Sequence, residues 1–154
     1  QLEPKKPAAL AVLAASRGVL ATLALAPGRS IQESIEGPAE QLMESHPEYN
    51  GGEGRRILGA LYAKAPPWPA GIGDLEEGLE LLESNVRQFP NVPMNRFLYG
   101  EALLRDSRLE EAKREFTAVL QADKDGEWGM IGAPYRRQAR QYLRNLLDNE
   151  GSAP

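Results

Sequence analysis

A short helical phrase occurs twice in this chain, and that recurrence limits the possible folds more than any other feature. "ILGALY" at 57–62 aligns with "LYGEAL" at 98–103, matching Leu58-Gly59 to Tyr99-Gly100. In the segment following each phrase, Gly78 and Leu82 align with Ala112 and Phe116. A small residue lets two helices approach closely, and a large one fills the space beside it. Gly59 and Gly100 are 41 residues apart; setting aside seven extra residues of a Pro/Trp insert leaves 34. Such a repeat predicts stacked pairs of antiparallel helices.

The remaining segments support this expectation. Apolar periodicity with Pro, Gly and capping residues at its breaks predicts about seven helices, over 8–25, 31–45, 53–65, 74–89, 93–106, 109–122 and 133–150. Ser30 with Glu33, and Asp74 with Glu77, have the spacing of capping boxes. Pro38, following Gly37, cannot donate a backbone hydrogen bond and predicts a kink. Pro134 is expected just inside the start of the last helix. No stretch alternates as a strand does. The expected fold class is all-α, a tetratricopeptide-like α-solenoid forming a single domain over 1–154. Within it, 8–47 is a degenerate first helix pair, 51–90 a repeat carrying the insert, 93–124 a second repeat and 133–150 a capping helix.

The interval of 34 is the tetratricopeptide period. "LGALY" with "LEEGLELLE" and terminal Pro90 resembles one such repeat, and "FLYGEALLRDSRLEEAKREFTAVL" resembles the next, with Lys124 where a closing proline is usual. A narrower resemblance is carried by "LYAKAPPWPAGIGD", by "NVPMNRFLYGEALL", and by a Trp128 loop followed by "APYRRQARQYLRNL". Over about residues 47 to 147 the chain resembles the TatT family, bacterial periplasmic tetratricopeptide proteins associated with TRAP-type (tripartite ATP-independent) solute uptake. The N-terminal third matches weakly, and there is no lipid-attachment cysteine. The resemblance implies a location in the periplasm or cell envelope, with the cytoplasm as the alternative. It also implies a protein partner, the solute-binding protein of such a transporter. The rival expectations are a generic scaffold in another assembly and a small-ligand binder whose Trp68 loop caps a pocket.

Chemistry narrows the options further. The chain has no cysteine and a single histidine, His46, so thiolate sites, Cys nucleophiles and multi-histidine zinc sites are excluded. "GIGD" and "NGGEG" lack phosphate-loop spacing. "DKDGE" at 123–127 fails as a calcium loop because its glycine is misplaced and Pro134 stands where the bidentate Glu belongs. Glu76, Glu77, Glu80 and Glu83 read as a solvated helix face, and Arg136, Arg137, Arg140 and Arg144 as a solvated basic stripe. A net charge of -4 argues against a nucleic-acid surface. The expectation is a non-enzymatic protein without cofactor or metal.

Two regions stand out as binding candidates. In the insert, Pro66, Pro67 and Pro69 stiffen the backbone around Trp68, whose indole either plugs the helix junction or faces a partner. The first helices of the repeats should line a groove with Arg56, Ala60 and Lys64, and with Met94, Phe97, Glu101 and Arg105. Mixed cationic and apolar side chains suit a peptide or an acidic ligand. Beginning at Gln1, the chain reads as a trimmed or processed form. Residues 5–26 read as a packed apolar helix covered in a homo-oligomer, with a targeting remnant or a membrane span as alternatives.

Overall fold

The computed structural model describes residues 6–8 and 29–151. Among these residues the chain is all-helical, with six helices and no strand: α1 Arg29–Ser45, α2 Glu53–Lys64, α3 Leu75–Gln88, α4 Pro93–Arg105, α5 Leu109–Gln121 and α6 Ala133–Gly151. The helix expected over 8–25 lies, but for its first residue, outside the described set. With it go the oligomer and targeting expectations for that segment. No helix of the described residues is long and apolar enough to cross a membrane.

One helix start follows its local sequence signal directly. The Glu77 N–H donates to Asp74 Oδ1 at 3.0 Å, so Asp74 caps α3 as its position predicts. The Asp74 N–H donates instead to the Tyr62 carbonyl at 3.0 Å, which fixes the entry to α3 against the end of α2. Ser30 is not a cap, because α1 already begins at Arg29. Pro38 stands inside α1, as expected, and the helix continues through it at the cost of a backbone donor.

The chain divides into two compact units, Gln1–Leu82 and Glu83–Pro154, with the boundary inside α3. In the first, Ile35 and Ala39 of α1 pack with Leu58 and Tyr62 of α2, and Ile57, Leu61, Ile72 and Leu81 close around them. A Cβ on Gly59 would lie 2.7 Å from Leu82 Cγ, so α2 and α3 approach to a distance only glycine allows. The Tyr62 hydroxyl donates to Glu36 Oε1 at 2.6 Å, linking α2 back to α1.

In the second unit the same small-against-bulky contact recurs. A Cβ on Gly100 of α4 would lie 2.8 Å from Phe116 Cε1 of α5. Phe116 is fully buried, a placement that stabilises by about 2 kcal/mol. Its ring stacks on Tyr142 of α6 at 4.8 Å between centroids. The α4–α5 turn closes with the Arg108 N–H donating to Leu103 O at 2.9 Å and the Ser107 N–H to Leu104 O at 3.1 Å. Ser107 has φ 61. This is a Schellman turn with serine where glycine is usual.

Candidate functional site

The Trp68 loop leaves α2 at Lys64 and returns to α3 at Leu75. It is hydrogen-bonded along its length: the Ala70 and Gly71 N–H groups donate to Pro67 O at 3.1 and 3.2 Å, and the Gly73 N–H to Pro66 O at 2.9 Å. The Trp68-Pro69 peptide is cis. A Cβ on Gly73 would clash with Ala65 O, so the returning arm of the loop lies against the outgoing one. Gln32 of α1, itself buried, accepts the Ile72 N–H at 3.0 Å. Ile72 packs on the first unit's core. The base of the loop is therefore anchored from two helices, while its tip is open: Trp68 is 75% exposed, and Pro66, Pro67, Pro69 and Ala70 are exposed around it. Of the two expectations for Trp68, the plug is overturned; the indole faces solvent. Lys64 is exposed at the end of α2, before the loop.

Three of the other expected groove residues are packed within their own units. Arg56 is buried, with its guanidinium directed to the Asn50 and Gly51 carbonyls at 3.3 and 3.4 Å. Those carbonyls belong to a turn in which Asn50, Gly51 and Gly52 all have positive φ. Arg56 therefore steadies the entry to α2 and is not on offer to a partner. Met94, 4% exposed, packs with Val92 and Trp128. Phe97, 3% exposed, meets the rings of Phe116, Tyr135 and Tyr142 at 5.4–5.9 Å. Both are core residues because the α4 face that seemed open is covered by α5, α6 and the loop between them. Glu101 accepts the Tyr142 hydroxyl at 2.9 Å, and Arg105 is exposed at the end of α4.

The basic stripe of α6 also changes. Arg136 is buried, donating to Ala122 O at 3.1 Å and to Gly129 O, and so ties down the loop that carries Trp128. Arg137, Arg140 and Arg144 remain exposed. Asp123 Oδ2 accepts the Trp128 N–H at 2.8 Å, which gives that carboxylate a structural role. Among the described residues no group of three or more His, Cys, Asp or Glu side chains could hold a metal ion.

A second feature was not anticipated from the sequence. In the second unit α3, α4 and α5 wall a half-open cleft of about 250 Å³, with Val86 and Leu103 at its apolar side and Tyr99, Arg87, Arg114 and three glutamates at its polar side. The Glu83 and Arg87 pair reads as an ordinary i,i+4 surface ion pair, and Glu111, Arg114 and Glu115 as a charged helix face. Only the meeting of three helices turns them into one cavity.

Comparison with models of known protein families matched none of them. Comparison with curated proteins likewise gave no significant match.

Proposed function

We propose that the chain is a non-enzymatic interaction scaffold of the tetratricopeptide type, stacked as a helical solenoid, that docks another protein on its Trp68 loop. The observation that carries this reading is the exposure of a large indole on a loop that is already ordered. Binding through a preformed loop avoids most of the entropy loss that ordering a flexible one would incur. Tryptophan is also enriched among residues that dominate interface energetics. Two glycine-to-bulky helix contacts, Gly59 with Leu82 and Gly100 with Phe116, support the repeat assignment, since each falls at the aligned position.

The resemblance of "LYAKAPPWPAGIGD" to the TatT family supplies the partner in this reading: the solute-binding protein of a TRAP-type transporter, met in the bacterial periplasm or envelope. The test is capture from a native envelope extract on immobilised full-length chain, with bound proteins identified by mass spectrometry. The wild type should retain a TRAP solute-binding protein, and Trp68→Ala should lose it at unchanged melting temperature. Recovery of no transporter component, or equal recovery by the variant, refutes the proposal. Trp68-dependent capture of an unrelated envelope protein would assign the scaffold to another assembly.

A further inference from the structure

Sulfur chemistry in this chain rests on thioethers alone, since it has three methionines and no cysteine. The fold separates the three sharply. Met94 is 4% exposed and packs with Val92 and Trp128. Met43 is half-buried against the first unit's core of Ile35, Ala39, Leu58 and Tyr62. Met130, on the loop between α5 and α6, is 89% exposed, with Ile131 exposed beside it. A thioether so placed is open to solutes from almost every side.

The loop does not depend on that side chain. Its backbone is held by the Gly129 N–H donating to Gly126 O at 3.0 Å, the Gly132 N–H to Trp128 O at 2.7 Å and the Ala133 N–H to Met130 O at 3.2 Å. Arg136 and Asp123 fix it further, through Gly129 O and the Trp128 N–H. A change at the Met130 sulfur leaves all of these supports in place. At Met94 the same change would put a polar oxygen into the core, where it costs stability unless it finds a donor.

We propose that Met130 is a reversible oxidation site whose co-reactant is hydrogen peroxide. The thioether lone pair attacks one peroxide oxygen, forming an S–O bond as the O–O bond breaks. The departing hydroxide takes the proton of the transferred oxygen and leaves as water. Sulfur gives up two electrons, and these reduce the peroxide. The sulfoxide is polar and chiral, so the mark replaces an apolar side chain at the loop tip with a polar one. Methionine sulfoxide reductases, one for each epimer, restore the thioether. The proposal is independent of the Trp68 docking surface, since it uses only the loop between α5 and α6.

The test is exposure of the full-length chain to hydrogen peroxide, sampled over time and mapped by peptide mass spectrometry. Met130 should gain one oxygen first, and at least about tenfold faster than Met94, which reacts only when its surroundings open. The chain oxidised at Met130 alone should melt at the same temperature as the unmodified chain. The pair of reductases should return its mass to the starting value. Met130→Leu should abolish the fast reaction and leave the slow ones unchanged. The proposal is overturned if Met43 or Met94 is oxidised as quickly as Met130. It is equally overturned if the singly oxidised chain melts lower, or if the reductases leave it oxidised.

Discussion

Ser107 holds the α4–α5 turn in a left-handed conformation, φ 61, that an L-residue adopts only against the clash of its Cβ. The two Schellman hydrogen bonds keep it there. Ser107→Gly removes the clash, and the expected outcome is a gain of about 0.5–1 kcal/mol in urea denaturation. The opposite expectation holds at the helix contacts. Gly100→Leu would place a side chain where even a Cβ meets the Phe116 ring at 2.8 Å, and should cost about 1–3 kcal/mol by overpacking. Gly59→Leu should do the same against Leu82. A melting temperature unmoved by either would mean that these glycines do not set the helix separation.

At the scale of elements, the Trp68 loop depends on α1, a helix distant from it in sequence. The Gln32–Ile72 hydrogen bond spans 40 residues, and it is what makes the loop's base part of the core. Gln32→Ala should abolish hydrogen-exchange protection at the Ile72 amide while α2 and α3 remain protected; continued protection would show that the turn hydrogen bonds suffice alone. The same contrast between near and far explains what was legible in the sequence. Asp74 was readable as a cap because its partner is three residues away, and Gly59 and Gly100 because the repeat printed each contact twice. Arg56 was misread because its partners are carbonyls of a left-handed turn, which leave no side-chain signature. Met94 and Phe97 were misread because periodicity marks an apolar face without saying what covers it. The cleft was invisible for a related reason: its residues come from three helices, and on each helix they look like ordinary surface.

Across the whole molecule, three phenols couple stability to alkaline pH. Burial, then the bond to Glu36, raises Tyr62 above its ordinary value of 10.0. Burial also raises Tyr99 and Tyr142, the latter further by the Glu101 charge and hydrogen bond. A phenol with a raised pKa keeps its proton longer in the folded chain, so the unfolded chain releases protons first. Stability from this source is complete below pH 10 and is lost as the pH rises past it. The melting temperature should therefore fall above pH 10, and Tyr62→Phe, costing about 1 kcal/mol at neutral pH through the lost hydrogen bond, should make that fall shallower. The two tryptophans sit in opposite environments, Trp68 at 75% exposure and Trp128 at 9%. The protein thus carries two built-in optical reporters of opposite sign. Covering Trp68 with a partner would shift its fluorescence to shorter wavelength, whereas unfolding would release Trp128 into water and shift its emission to longer wavelength, so colour alone distinguishes a bound chain from a damaged one.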